Sequence, residues 1–460
     1  MNKQYDIVVV GAGPAGMAAA VSADQAGLSV LVVDEQTAPG GQIYRSLEKN
    51  VARNSHLLDK DYSAGRPLIE ALRESSIDYL PQTSVWNLEK SLQLDLLTDG
   101  QARRVTAQHV ILSAGAMERP VPIPGWTLPG VMGAAAADVL LKNSDLVPEG
   151  PVVLAGSGPL LLLVATHLVA NDVELVAMVE TAGLSDYCKS LPYIPGALRS
   201  YRYLLKGLQM RMKVRNARVP LFLGCRDLEV IGAEKAESFK FTCRGKKREI
   251  AAETVLLHEG VIPNMRLSRL IGCENEWYEA QRYWRPKVGD WGQTSVPGVS
   301  IAGDCAGVRG VGIATAAGHL AGLDAACRLK VISTSERDMK ATQYRKTVEQ
   351  ESLIRPFIDH VFPPSPQALV PPHDDTIVCR CEELTAGQIR EAVALGARDP
   401  AQIKGHTRTG MGPCQGRMCE TTMTEIIAAE SLSTIEEVGC LRIRPPLKPL
   451  TIDQLAELEM

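Results

Sequence analysis

The first forty residues alternate apolar and small residues in blocks rather than singly. "YDIVVV", "GAGPAG", "MAAAVSADQAG" and "LSVLVVDE" follow one another from Tyr5 to Glu35. An unbroken β-branched run such as Ile7 to Val10 suits a parallel strand buried on both faces, and the small-residue block after it suits a tight turn into a helix. The four blocks predict strand, turn, helix and strand. A second unit of the same design starts at Val152, with "VVLAG", the turn "GSGPLL", a helix through about Ala170 and "VELVAMVE" ending at Glu180.

Between the units, "VILSAGAMERPVPIPGWTLPGV" carries Pro120, Pro122, Pro124 and Pro129, which argue against regular structure and mark a crossover. "TSVPGVSIAGDCAG" is a strand bounded by Pro297 and Gly303, and an alanine-rich helix follows it. "VFPPSPQALVPPHDD", residues 361–375, predicts a semi-extended proline-rich linker to a small separate module. In that module Thr385 and Gln388 form a capping-box signature. A second helix is expected from about Cys414 to Gly416 onward. The polar, proline-interrupted tail 441–460 is expected to lie along a surface.

A chain of 460 residues predicts about three domains at roughly 100 to 200 residues each. The expected partition is a discontinuous first unit (1–118 with 290–330) and a second unit (119–289). A helix and linker (331–375), a cysteine module (376–440) and the tail (441–460) complete it. With 45% apolar and 22% charged residues the composition is that of a soluble globular protein, and a net charge of −4 offers no overall basic field for nucleic acid. The N-terminal apolar run is broken by Gly11, Gly13, Pro14 and Gly16, unlike a signal peptide. "PVVLAGSGPLLLLVATHLVA" has the length of a membrane span, but Gly156, Ser157, Gly158 and Pro159 interrupt its middle, so no integral membrane segment is expected. Eleven cysteines, six of them scattered singly, do not form a secreted disulfide scaffold, and a reducing cytoplasm is the expected location.

Gly11-x-Gly13-x-x-Gly16 after a strand and before a helix has the context of a dinucleotide fingerprint. Gly11 permits the turn, Gly13 admits a pyrophosphate, Gly16 lets helix and strand pack, and Pro14 and Ala15 open the helix. Asp34, 18 residues past Gly16 and followed by Glu35, is the acid expected to accept ribose hydroxyls. In the second unit Leu161 replaces the third glycine and Glu180 stands at the ribose position. NAD(P) use by this unit therefore stays open beside an empty pocket. Cys305 and His258 are weighed first as a buried small hydrophobe and a structural or cofactor-lining group. Cys379-x-Cys381 and Cys414-x4-Cys419, with 32 residues between, form a four-thiol set that suits an iron-sulfur cluster or zinc, with unliganded thiols as the bland reading. Lys404, Arg408 and Arg417 are available to offset a cluster's charge.

"GAGPAG", "VVDE…GGQ", "VILSAGA" and "TSVPGVSIAGD" together resemble the flavoproteins with two dinucleotide domains, in which the first site holds FAD. The resemblance implies an α/β fold of two Rossmann-like domains of glutathione-reductase type. It places Gly41 and Gln42 at the pyrophosphate, Val85 at the adenine, Ala114 and Gly115 at the flavin turn, and Gly303 and Asp304 at the ribityl chain or pyrophosphate. The helix near Gly312 would aim its positive end at the flavin's N1/O2 edge. Disulfide-type members place a cysteine pair directly after the first double glycine, where this chain reads "GGQIYRS".

The C-x-C and C-x4-C arms resemble the small helical 2Fe-2S domains of the bacterioferritin-associated ferredoxin type. With "GGQIYR", "GAMERPVPIPGWTLPGV", "LHEGVIPN" and "CRCEELTAGQIREAV", the whole chain is similar to the FAD and 2Fe-2S subunits of multi-subunit amine dehydrogenases: opine oxidases, D-hydroxyproline dehydrogenase and hydrogen cyanide synthase. That resemblance implies an electron-transfer subunit beside a partner that carries its own FAD and dehydrogenates a C–N bond. A small third subunit, FMN at a subunit interface and a peripheral position at the inner face of the membrane are further implications. Within this likeness a glycine-oxidising cyanide synthase subunit is the alternative; outside it, a stand-alone NAD(P)H-dependent reductase stays open.

Overall fold

The computed structural model describes residues 3–53, 60–456 and 458. Lys3–Val10, whose residues from Ile7 onward are almost fully buried, is flanked in parallel by Val30–Val33 and Gln101–Leu112. Asp78–Leu80 extends one side. Val299–Ile301 also joins Gln101–Leu112 in parallel, so residues from beyond position 290 complete the first, seven-stranded sheet. The hydrophobic runs at Ile7–Val10 and Val30–Val33 therefore find partners on both sides, as parallel pairing requires.

The second parallel sheet has five strands, with Val152–Ser157 between Leu175–Glu180 and Thr254–Glu259. Its outermost member on one side is Val131–Gly133, and Ala116–Glu118 pairs with Val261–Pro263. The proline-rich crossover is thus less irregular than expected. Its prolines lie between two short strands, which take their hydrogen bonds from other segments. A three-stranded antiparallel sheet of Arg226–Ile231, Ser238–Cys243 and Lys246–Ala251 packs its Phe239 and Phe241 beneath the second sheet.

The long helix Val311–Arg328 lies on Pro14–Asp24 at very close range. A Cβ on Gly318 would fall 2.1 Å from the Ala15 carbonyl oxygen, and one on Gly322 2.3 Å from that of Ala19. Only glycine permits this approach. The stretch expected as a helix and linker carries three helices, Thr334–Ser352, Arg355–Val361 and Pro366–Leu369. They are fastened by Gln281 Nε2 donating to the Asp359 and Phe362 carbonyls and by the Ser365 N–H donating to Glu259. The segment is a docked strap, and Pro356 and Pro366 sit in the first turns of its helices, where no N–H is lost.

The cysteine module closes over Val378, Ile389, Val393, Ile403, Met423 and Ile426. Thr385 and Gln388 make the expected capping box. Pro400–Thr407, capped by Asp399, is a helix not anticipated although Asp-Pro is its start signal. The helix expected from Cys414 to Gly416 onward is Glu420–Ser431, which starts later because Gln415 and Gly416 adopt left-handed backbone. Trp126 Nε1 donates to the Ile377 carbonyl at 2.7 Å and Arg282 Nε to Glu425 at 2.9 Å, tying the module to the rest of the chain. The tail also does more than lie on a surface. Leu441 and Leu447 are buried, and the Leu447 N–H donates to the Trp86 carbonyl.

Candidate functional site

The first cradle is built by backbone contacts that exclude side chains. Gly11 has φ +103°, and a Cβ there would lie 2.5 Å from the Ser113 carbonyl oxygen. A Cβ on Gly16 would lie 1.8 Å from the Gly11 carbonyl. Gly41 faces Gly13 so closely that its Cβ would sit 2.8 Å from Gly13 Cα, which brings the "GGQ" loop onto the first turn. The helix begins at Pro14 with Gly13 as its cap, so free N–H groups face this junction. Two apposed glycine backbones at a helix N-terminus leave N–H groups with no side chain over them, the chemistry a pyrophosphate requires.

Asp34 is buried, and its carboxylate accepts the Ala12 N–H and, at 2.6 Å, the Gln36 N–H. Burial raises its pKa, and the two N–H donors work against that rise. Its carboxylate therefore braces the turn, while exposed Glu35 is the freer acid beside it and meets Lys448 of the tail. Gln42 is exposed and accepts Arg45 at 3.1 Å. The Val85 side chain packs in the sheet core, and Thr83, two residues earlier, donates its N–H to the Asp34 carbonyl.

Ala114 and Gly115 are fixed by Asn264, whose N–H donates to the Gly115 carbonyl at 3.0 Å. Gly303 has φ +83° and lies against Ala15. Asp304 accepts the Arg309 N–H at 3.2 Å, and burial raises its pKa. The helix containing Gly312 begins at Val311, as the resemblance implies. Glu351 stands at this helix start: a Cβ on Gly312 would fall 2.1 Å from its Oε2, which accepts the Tyr203 hydroxyl at 3.0 Å. Cys305 is fully buried with its thiol directed at the Leu112 and Ala302 carbonyls and its pKa pushed up to about 12 by burial, which fits a packing role.

The second cradle differs. Leu161 is fully buried at the third glycine position. Glu180 is locked by Arg211, whose guanidinium donates at 3.0 and 3.3 Å and also reaches Tyr187, so this acid is not free for a ribose. His258 Nε2 would lie 3.0 Å from a Cβ on Gly158, and its Nδ1 is 2.6 Å from Glu118.

The four module cysteines meet as two thiol pairs, Cys379 with Cys419 and Cys381 with Cys414. Cys379 and Cys419 are buried, Cys414 is half-buried and Cys381 is exposed. The hydrogen bond from Cys419 lowers the Cys379 pKa to about 5, and the same bond, then burial, raise that of Cys419. Among the described residues no three Cys, His, Asp or Glu groups converge tightly enough for a single ion. Two pairs match the partition of a two-iron cluster, in which each iron takes two thiolates. Gly412 is part of this cradle, since a Cβ there would fall 2.2 Å from Cys381 Cβ.

Of the anticipated cations, Arg417 donates to the Leu447 carbonyl and Arg408 pairs with Glu382. Two further cations were not anticipated. Arg266 donates to the Gln415 carbonyl and to its side-chain oxygen, both at 2.9 Å, and Arg269 pairs with Glu420 at 2.8 Å. Burial, then neighbouring Arg417, lower the Arg266 pKa to about 10. Arg266 lies 149 positions upstream of Gln415, and no local spacing signals the meeting. A small cleft lies there, lined by Met117, Met265, Arg266, Trp284, Arg417 and Thr424. Arg266 Nε and Trp284 Nε1 are buried without partners among the described residues.

Residues 5–321 match the pyridine nucleotide-disulphide oxidoreductase model, and residues 377–439 the BFD-like 2Fe-2S binding domain. An opine oxidase subunit from Agrobacterium tumefaciens (strain Ach5) is 42% identical over 99% of this chain and 92% of that protein. The hydrogen cyanide synthase subunit HcnB of Pseudomonas protegens is 31% identical over 96% of each chain. The crystal structure of L-proline dehydrogenase from P. horikoshii superposes with a TM-score of 0.71 at 16% identity, covering 99% of this chain and 80% of that one, which shows the shared fold. The chain belongs to the pyridine nucleotide-disulphide oxidoreductase family, as a flavoprotein-type oxidoreductase that carries a BFD-like 2Fe-2S domain near its C-terminal end.

Proposed function

We propose that this chain is the electron-transferring FAD and iron-sulfur subunit of a hetero-oligomeric dehydrogenase that oxidises a secondary amine or imino acid, of the opine or D-hydroxyproline type. The observation that carries the reading is the coexistence of a dinucleotide cradle and two thiol pairs in one chain, alongside relatives named as opine oxidase and cyanide synthase subunits. When bound, FAD exchanges an electron pair and a 2Fe-2S cluster single electrons, so the pair converts two-electron chemistry into one-electron delivery. Gly11, Gly13, Gly16 and Gly41 would hold the pyrophosphate, Glu35 the ribose, Gly303 and Asp304 the ribityl region, and Ala114 and Gly115 the flavin turn. Cys379, Cys381, Cys414 and Cys419 would hold the cluster. Arg266 positions the Gln415 turn and adds positive charge beside it.

In this reading the substrate pocket belongs to a partner subunit with its own FAD, and electrons leave toward a quinone or other respiratory acceptor on the cytoplasmic side. An FMN, where present, would sit at the interface with that partner. The locked Glu180 and buried Leu161 weigh against NAD(P)H as donor. The test is to isolate the chain with its co-purifying partner and assay opines, D-hydroxyproline and glycine with an artificial acceptor. Turnover of an opine or D-hydroxyproline by the complex is expected. Cyanide from glycine would move the chain to the cyanide synthase reading. Rapid bleaching of the isolated chain's flavin by NADH would replace it with a stand-alone reductase.

A further inference from the structure

We infer that the face formed by residues 184–218 docks on an anionic lipid surface. From Lys189 to Arg218 the sequence has eight Lys and Arg and no Asp or Glu, in a chain whose net charge is −4. The same stretch folds into the helices Leu184–Ser190, Ile194–Arg199 and Tyr201–Asn216, which span the crossover from Leu175–Glu180 to Leu221–Phe222. Of the cations, Arg211 is committed to Glu180 and Lys206 to Asp61, and Lys189 lies 3.8 Å from Asp186. Arg199, Arg202, Lys213, Arg215 and Arg218 are exposed, with no carboxylate partner among the described residues. Unpaired cations in one patch of an acidic protein are a field waiting for an anionic surface.

The apolar side chains of these helices point the wrong way for a protein that stays in water. Tyr201, Leu205, Leu208 and Met212 recur at spacings of four, three and four, which puts them on one face of the last helix. Leu205 is 50% and Leu208 55% exposed, while Val214, on the opposite side of the helix, is buried. Leu191 and Leu198 on the preceding turns are 57% and 60% exposed. The helix thus packs on the protein with one edge and presents leucines, a tyrosine and a methionine outward, flanked by Arg202, Lys213 and Arg215. Outward leucines with arginine and lysine flanks are the anatomy of a helix lying in the headgroup region. The opposite side of the same helix reaches toward the first cradle, where Tyr203 donates to Glu351 at the start of the helix that carries Gly312. Docking there holds the flavin site next to the bilayer, where lipid-soluble electron acceptors reside.

The inference does not rest on the amine dehydrogenase reading, since lipid binding is measured without turnover. The full chain, purified with its cofactors and any co-purifying partner, is sedimented with vesicles of phosphatidylcholine alone or with added phosphatidylglycerol. Binding to the anionic vesicles, weakened by salt and absent with neutral ones, is expected. Arg202→Gln/Lys213→Gln/Arg215→Gln should lower the partition coefficient on the order of a hundredfold, at about a fivefold loss per cation. Leu205→Ser/Leu208→Ser should weaken binding as well, with flavin and cluster absorption unchanged in both variants. Equal sedimentation of wild type and the triple variant, or no binding to anionic vesicles, overturns the inference. So does loss of the co-purifying partner from either variant without any change in vesicle binding, which would make the face a protein interface.

Discussion

Gly412→Ala tests whether the cysteine module is a cluster cradle. The new methyl would sit 2.2 Å from Cys381 Cβ and 3.2 Å from its sulfur. Non-bonded carbons rest about 3.5–4.0 Å apart, so Cys381 must retreat by roughly 1.3–1.8 Å. Gly412 is not among the glycines with positive φ, so the clash is the whole perturbation. Cys381 is exposed and can swing outward, which limits the cost to the fold to about 1–3 kcal/mol for an overpacked site. A metal-ligand bond tolerates only about 0.2 Å, and Cys381 is lost as a ligand. The expected result is a folded chain with its flavin absorption intact, iron content well below two per chain and no rhombic signal in the EPR spectrum of the dithionite-reduced protein. Gly405→Ala is the control: a Cβ there meets nothing within 4 Å in the helix Pro400–Thr407, and iron content should not change. A Gly412→Ala protein with two irons per chain and an unchanged EPR spectrum would refute the assignment of Cys381 to the cluster.

Gly16→Ala should abolish FAD retention, because its Cβ would lie 1.8 Å from the Gly11 carbonyl; flavin released on denaturing the purified variant measures this. His109 and His319 are held neutral, burial lowering both pKa values to about 4. Since the unfolded chain binds their protons near pH 6.5 and the folded chain does not, stability should fall as pH drops from about 6.5 to 4, by roughly 3 kcal/mol for each histidine. Urea unfolding at pH 7, 5 and 4 should show this slope, and His109→Gln/His319→Gln should flatten it. Glu351→Gln should raise the flavin's two-electron potential by about 20–40 mV, from removing about 1–2 kcal/mol of repulsion to the charge gained on reduction. Redox titration with dye mediators checks the shift, and an unchanged potential would place Glu351 away from the flavin.

Both strand-turn-helix units were legible because their signals are local. A β-branched run, glycines at fixed offsets and an acid at the next strand end all lie within about 30 residues of one another. The four cysteines were legible for the same reason, as two short arms in one small module. Other local signals carry a different meaning once the chain is folded. The prolines of 361–375 and of the crossover read as breakers, yet Pro366 opens a helix without losing a donor and the crossover prolines lie between two short strands. Glu180 reads as a ribose acid, because nothing near it in sequence announces Arg211.

What the sequence determined by itself is the set of local conformations and the chemistry each can hold. It dictates where the backbone turns under a phosphate and where four thiols are available to iron. What only the tertiary structure decided is which distant groups share a site. Arg266 grips the Gln415 turn, the tail reaches Trp86 and Glu35, Glu351 meets the start of the helix at Gly312, and the helices 184–218 turn their leucines to solvent. The physical reason is range. Turns, caps and strand runs are set by interactions between near neighbours in the chain, whereas these meetings follow from packing Gly318 and Gly322 on Ala15 and Ala19, and the module on Trp126 and Arg282.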